Sequence, residues 1–478
     1  MGLNGNGSWL SYLITSIANF GTQYNFGSIS IALLMMSQSE CTSSVENCQD
    51  GVQANWVVGS SSALVFVGCV IGQLTMGYLG DYFSRNKALA ATLIIAMISA
   101  LLSAVAPNGS AHSVYGTIIT FRFFLGLGLG GIYPLSATKS SEDSATSSST
   151  VNSSSTAKSF FWQMPGILGP WLVGYFCTYS NLSTSRRWRV VLGIGAVPLF
   201  IAILGLLVEG DPQGKQPQQI EKHDGPNSKQ NKKEDLTMSG ILQHLGNKVI
   251  QRKLMATGAP WFVYDVIVYG IGLIGGYIVA NIHDSHTENI SSDKSIRKIA
   301  GRQMIAICLC IPATLFGIYL LPKVGLRNLQ IYSFLFLTFC FVIFASLFNY
   351  LKDNDSDGLF AVYCICSMSM NLGIGITSFT LPSALFDKEI RSTFNGICSA
   401  LGKLGAVIGA YSFIYIALDF SYPAVLAVCS VLGLLGAFLS YWYIRIEDLQ
   451  DEISVGKRPE HSDSSARNPL TEQFHTTL

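Results

Sequence analysis

Apolar residues run along this chain in long blocks rather than at the spacing of a surface helix. A bilayer core about 30 Å thick needs roughly 20 residues of helix to cross it. Blocks of that length fall at 9–36, 54–80, 88–106, 114–137, 159–178 and 188–208, and again at 256–281, 302–321, 329–349, 359–385, 392–417 and 422–445. Short polar loops separate them. The exception is 209–255, where GDPQGKQPQQIEKHDGPNSKQNKKED is too polar and too punctuated by Pro and Gly to bury a core. Six blocks, a polar stretch and six more predict an all-α membrane protein of twelve transmembrane helices in two six-helix bundles. The divisions are an N-terminal half over 1–208, a cytoplasmic linker over 209–255, a C-terminal half over 256–445 and a polar tail over 446–478, predicted to be disordered.

Composition agrees. Apolar residues make up 49% of the 478 and charged residues 12%, against about 25% charged in a soluble domain. The net charge of +1 and the lack of a basic stripe with interleaved aromatics give no support to nucleic-acid binding. The first block lacks a basic start and is too long for a cleaved leader, so it is read as the first span. No cysteine pair or Cys/His cluster has metal-ligand spacing, and no cofactor is expected. With no metal cluster or nucleophile motif either, an integral-membrane enzyme is set aside. Cys41 and Cys48 share one polar loop, where a disulfide and two free thiols are equally open.

Lys and Arg placement orients the chain. With both termini cytoplasmic, the inner loops hold Arg85 and Lys87, Lys139 and Lys158, and the lysine-rich linker. The sequons at Asn108, Asn181, Asn289 and Asn354 then all fall outside, while Asn6 and Asn152 fall inside. This pattern points to a glycoprotein of the plasma membrane, with an organelle membrane as the alternative. The Ser/Thr-rich stretch 138–158 reads as a cytoplasmic loop.

Three ionisable residues lie deep in the spans: Arg122, Asp265 and Lys403. Each is costly in hydrocarbon and is expected to face a polar cavity or a partner. Two cations against one carboxylate favour an anionic substrate, and a proton on Asp265 would add to that excess. Protonation and anion binding would then favour each other, which is the basis of symport. Trp261 and Tyr269 stand four residues either side of Asp265 and share its helix stripe. Lys403 lies between Gly402 and Gly405, where a neighbouring helix can approach. Arg122 and Tyr133, about three turns apart, share a face, and Gln163 is a neutral donor and acceptor in an apolar run. The competing reading is that the charges pair structurally and that Gln163 glues helices together.

GYLGDYFSRNK, from Gly77 to Lys87, resembles the loop signature of the major facilitator superfamily, with Ser84 at its second glycine. The resemblance implies the major facilitator fold and gives Gly77, Asp81, Arg85 and Lys87 a conformational role, Asp81 and Arg85 pairing and capping helix ends. The equivalent stretch of the second half, LLPKVGLRNLQ, carries Pro322 where an acid is common. RFFLGLGLGGIYPLSATKSSED (Arg122 to Asp143), WFVYDVIVYGIGL (Trp261 to Leu273) and RSTFNGICSALGKLGAVIGA (Arg391 to Ala410) are similar to the phosphate:proton symporters within that superfamily. By that resemblance a phosphate site would comprise Tyr133, Gln163, Trp261, Asp265, Tyr269 and Lys403, with proton-linked work at Asp265 and Arg122 nearby. The chain departs from the pattern at Ile132, where the family has an acid, and at the neutral NFGTQYNFG of span 1 (Asn19 to Gly27). It departs again at NLGIG (Asn371 to Gly375) of span 10. The expectation is a secondary transporter of inorganic phosphate, moving a small anion and protons through a lipid bilayer. The alternatives are a carrier of another small solute, such as an organic phosphate, organic anion or sugar, and a nutrient receptor without flux.

Overall fold

Backbone amides inside a bilayer have no water to bond, so a chain of apolar blocks must satisfy them within helices. The computed structural model describes residues 5–41, 55–106, 111–145, 153–210, 238–281, 293–387 and 390–449, and every regular element among them is an α-helix. The first half contains α1 (Gly5–Cys41), α2 (Asn55–Tyr82), α3 (Arg85–Ala104), α4 (Ala111–Ala145), α5 (Ser153–Phe161), α6 (Gln163–Cys177), α7 (Thr184–Ile194) and α8 (Ala196–Glu209). A short α9 (Met238–Gly246) precedes the second half, which contains α10 (Lys248–Asn281), α11 (Asp293–Val324), α12 (Leu326–Asn354), α13 (Ser356–Asn371), α14 (Ile374–Leu385), α15 (Arg391–Asp419) and α16 (Tyr422–Tyr443). Spans 5, 6 and 10 are each broken once, so α5–α6, α7–α8 and α13–α14 count as one span apiece.

Ten stretches among the described residues are long and apolar enough to cross a membrane. The remaining two of the twelve are α1 and the α5–α6 pair, and chemistry explains why they stand apart. Helix α1 buries Thr15, Ser16, Asn19, Thr22, Gln23 and Asn25, and α5 opens on SSSTAK. These are the helices whose polar groups turn inward. Lipid-facing surface lies elsewhere: Phe200, Leu207, Phe316, Phe339, Val431 and Phe438 are exposed, as solvation by hydrocarbon allows.

The halves meet along two seams, α2 against α15 and α6 against α11. The α2–α3 turn, the end of α8 and the start of α10 share one face, here the linker face. On it Asn86 donates to Glu209 Oε2 (3.0 Å) and Arg252 pairs with Asp448 (2.9 Å). On the far face Arg187 of α7 pairs with Asp293 of α11 at 2.6 Å and ties the halves together. Asn181 and Asn354 are both exposed on that far face; the sequons Asn108, Asn289 and Asn152, and the side chain of Asn6, lie outside the described residues, as does the Cys41–Cys48 pairing.

Two boundaries differ from expectation. Helix α4 continues three turns past Tyr133 to Ala145, so Lys139 is no loop residue. It is buried, bonded to Asn86 Oδ1 (2.9 Å) and Glu209 Oε1 (3.1 Å). Its charge is spent locking spans 3, 4 and 6. The polar linker also stops short of 255: α9 and the first turns of α10 are helical, with Arg252 and Lys253 (to Leu385 O, 2.8 Å) anchoring them to the C-terminal half.

Candidate functional site

A central cavity of about 200 Å³ lies between the halves. A single water needs only on the order of 10–15 Å³ by that measure, so a small polyatomic ion fits with water to spare. Tyr133, Gln163, Trp261, Asp265, Tyr269 and Lys403 all line it, and Arg122 does too.

The C-terminal wall is ionic. Lys403 Nζ donates to Asp265 Oδ2 at 2.8 Å and to Tyr269 OH at 2.9 Å. Asp265 and Lys403 are 2% and 1% exposed, so this is a buried ion pair inside the membrane span. Helix packing brings the two together. A Cβ at Gly405 would stand 2.2 Å from Phe262 O and one at Gly409 2.1 Å from Val266 O, so α15 lies directly on α10. The ammonium is also caged by aromatic faces: its Nζ is 4.2 Å from the Tyr269 ring, 4.8 Å from Tyr133, 5.6 Å from Phe26 and 5.8 Å from Phe66. Such faces stabilise a cation whose water has been removed.

Facing that ion pair, the N-terminal wall presents neutral amides and phenols. Gln23 Nε2 donates to both Tyr133 OH and Gln163 Oε1 at 2.8 Å, and Gln163 Nε2 donates to Asn19 Oδ1 at 2.9 Å. Asn19 Nδ2 continues the chain to Ser159 Oγ at 3.1 Å. The two walls touch where Tyr133 OH and Tyr269 OH stand 3.5 Å apart. Sequence reasoning passed over Gln23 and Asn19. Both lie in the span-1 stretch noted for lacking acids, and the signal was that stretch's unusual polarity for a membrane helix.

Arg122, expected to lie near Asp265, lines the same cavity. It is fully buried and well inside α4, not at its end. Its Nε donates to Ser61 O at 2.9 Å, and its two terminal nitrogens reach Asn25 O at 3.4 Å. Among the described residues it makes no ion pair, and nothing joins it to Asp265. The excess positive charge of the cavity therefore sits on Arg122, because Lys403 and Asp265 cancel.

The loop-signature residues lie on the linker face, away from the cavity. Asp81 pairs with Arg85 at 2.6 Å and accepts from Ser392 N (3.3 Å), Thr393 N (2.6 Å) and Thr393 Oγ1 (2.5 Å). It thus places a carboxylate on the first turn of α15, in the opposite half, where orphan amides and the helix dipole favour an anion. Gly77 packs tightly there: a Cβ would lie 2.8 Å from Ser392 O. Lys87 is exposed in the first turn of α3.

Two six-span bundles around a central polar cavity make the major facilitator fold, and solved structures agree. The proton:xylose symporter XylE bound to 6-bromo-6-deoxy-D-glucose superposes with a TM-score of 0.71 over 94% of this chain and 99% of that one, at 16% identity. The chain belongs to the sugar (and other) transporter family, which it matches over residues 11–450. Among curated relatives, the "Inorganic phosphate transporter PT2" of Toxoplasma gondii (strain ATCC 50861 / VEG) is 30% identical over 92% of this chain and 72% of its own length. The "Low affinity inorganic phosphate transporter 1" of Petunia hybrida is 27% identical over 80% and 79%. The protein is a multi-pass membrane transporter.

Proposed function

We propose that this transporter carries inorganic phosphate, binding it between the Lys403–Asp265–Tyr269 wall and the Tyr133–Gln23–Gln163 wall. The observation that carries this reading is the buried ammonium of Lys403, set among phenols and amides in a cavity of ionic size. The named activities of the relatives support the same substrate. Tyr269, Tyr133, Trp261 and the amides supply the donors an oxyanion needs once it has left water.

The ion pair sets how binding and protonation interact. With the cavity empty, Asp265 neutralises Lys403, so an arriving anion competes with the carboxylate for the ammonium. A proton on Asp265 removes that competition. Phosphate and proton therefore raise each other's affinity through one lysine, and the coupling is reciprocal. Acid on the loading side favours uptake. The transport step is an alternation of access as one half rocks on the other, with the cross-half contacts of Asp81 and of Arg187–Asp293 breaking and reforming on opposite faces.

Labelled-phosphate uptake in a phosphate-transport-deficient cell tests this. The unaltered protein restores uptake that rises as external pH falls; Asp265→Asn, permanently neutral, flattens the pH profile. Uptake unchanged by both Asp265→Asn and Lys403→Ala removes the site.

One observation favours a second reading, a phosphate ester with a hydroxylated group. The cavity extends to Gln303, whose Nε2 is buried without a partner, and to Tyr363, whose OH donates to Gln303 Oε1 at 3.3 Å. Glycerol phosphate that outcompetes labelled inorganic phosphate at equal concentration would establish it.

A further inference from the structure

We infer that the cavity holds a second anion subsite, built on Arg122 and Ser62 and displaced toward the far face from the Lys403–Asp265 pair. The inference rests on the reading of the cavity as an anion path, and extends it from one station to two.

The argument begins with an uncompensated charge. A guanidinium cannot shed its proton in a protein, and burying a lone cation is among the costliest things a fold can do. Arg122 is 0% exposed, and no carboxylate among the described residues pairs with it. Its partners are two backbone carbonyls. One bond, from Nε to Ser61 O, has good geometry at 2.9 Å; the two to Asn25 O are at 3.4 Å, beyond the usual 2.7–3.2 Å. The terminal nitrogens, which form the bidentate fork that suits an oxyanion, are thus weakly engaged.

Ser62 supplies the independent observation. It follows the Ser61 carbonyl that orients Arg122, lines the same cavity and is 5% exposed, and its hydroxyl has no hydrogen-bond partner. A native fold rarely leaves a buried hydroxyl idle. If Arg122 served only to tie α1, α2 and α4 through their carbonyls, the Nε bond would be explained. The surplus charge and the unused hydroxyl would not.

Position gives the subsite its work. Arg122 and Tyr133 are both on α4, eleven residues apart, which is about 16 Å along a helix axis. Arg122 therefore enters the cavity from a level nearer the far face than Tyr133. An anion entering from the far face, the outer side in the orientation predicted from Lys and Arg placement, meets the unbalanced cation first and the neutral Lys403–Asp265 pair second. Its ligand is a small inorganic anion, either the phosphate in transit or a resident chloride.

Equilibrium dialysis of the purified full-length protein with labelled phosphate, and separately with labelled chloride, tests the subsite. Two equivalents of anion are expected on the unaltered protein and one on Lys403→Ala. In the Lys403→Ala background, Ser62→Ala weakens the remaining equivalent about tenfold, the worth of one hydrogen bond to a charged group, and Arg122→Gln removes it. Ser62→Ala leaves the Arg122–Ser61 tether in place, so its effect is separable from folding. Remaining phosphate that chloride does not displace assigns the subsite to substrate; remaining chloride assigns it to a resident halide. A single phosphate equivalent that Lys403→Ala abolishes, with no chloride bound and no effect of Ser62→Ala, overturns the subsite and leaves the phosphate site standing. An unaltered protein that binds no phosphate overturns the substrate reading instead; chloride binding weakened by Ser62→Ala would then uphold the subsite, and its absence would overturn that too.

Discussion

The two walls of the cavity face the same space with different chemistry. The C-terminal wall holds an ion pair between α10 and α15, while the N-terminal wall holds a relay of amides from Asn19 through Gln163 and Gln23 to Tyr133. Charge attracts a ligand over distance and responds to protons. Hydrogen bonds between neutral groups are directional and indifferent to pH. On the proposed reading, the difference at the level of the Lys403–Asp265 pair assigns coupling to one wall and orientation to the other. On that reading, the neutral residues at Ile132 and in span 1 leave the N-terminal wall without a carboxylate for protons while keeping donors for an oxyanion.

The strongest way to break this contrast is at Lys403. Lys403→Ala leaves a buried carboxylate without its partner, a change that costs about 3–5 kcal/mol where it has been measured in buried pairs. Phosphate uptake normalised to surface expression is expected to fall at least about a hundredfold. A loss under about threefold would move the anion's main contact to the other wall.

A smaller effect is expected across the cavity. Gln163→Leu deletes the acceptor of Gln23 and the donor to Asn19, two neutral bonds worth about 1 kcal/mol each. The KM for phosphate should rise about tenfold or somewhat more with the pH profile of uptake unchanged. A shifted pH profile would show that the neutral wall takes part in proton coupling and would erase the distinction between walls.

The contrast also explains what the sequence could disclose. Asp265 and Lys403 stand out because a charge within twenty apolar residues has no cheap resting place, and the i±4 spacing of Trp261 and Tyr269 puts them on the same stripe as Asp265. Twelve spans were legible for the same reason, hydrophobic length. Gln23 and Asn19 were not, because a neutral amide in a membrane helix serves equally as glue, and their partners Gln163 and Tyr133 are more than a hundred residues away in sequence. Arg122 was found, but its tethers were not. Its partners are carbonyls, which every residue owns and no sequence pattern marks. Lys139 failed differently: a Ser-rich stretch reads as loop, yet α4 carries it into contact with Glu209. Helix α9 was hidden in the linker because a nine-residue helix leaves little periodicity to detect.

The smallest effect lies outside both walls, where the halves are latched. Asp81 holds the first turn of α15 through Oδ2, which accepts from Thr393 N and Thr393 Oγ1, and through Oδ1, which accepts from Ser392 N and is steadied by Arg85. Nothing equivalent is expected from Pro322 in the second half, so the latch is one-sided. Asp81→Asn keeps one acceptor and loses the charge at a helix N-terminus, a change of about 1–2 kcal/mol in a partly buried setting. That energy acts only while α2 and α15 are together on the linker face, so it shifts the balance toward opening there by about 5–30-fold. Phe379, which packs on Phe160 at 5.3 Å and on Tyr133 at 6.0 Å, lies between the cavity and the linker face. A cysteine placed at Phe379 should react with an impermeant thiol reagent from the linker face faster by that factor in Asp81→Asn, measured against the native cysteines alone. If its rate is unchanged while Lys403→Ala still abolishes uptake, the latch contributes no conformational preference, and the contacts between the cavity walls themselves hold the halves together.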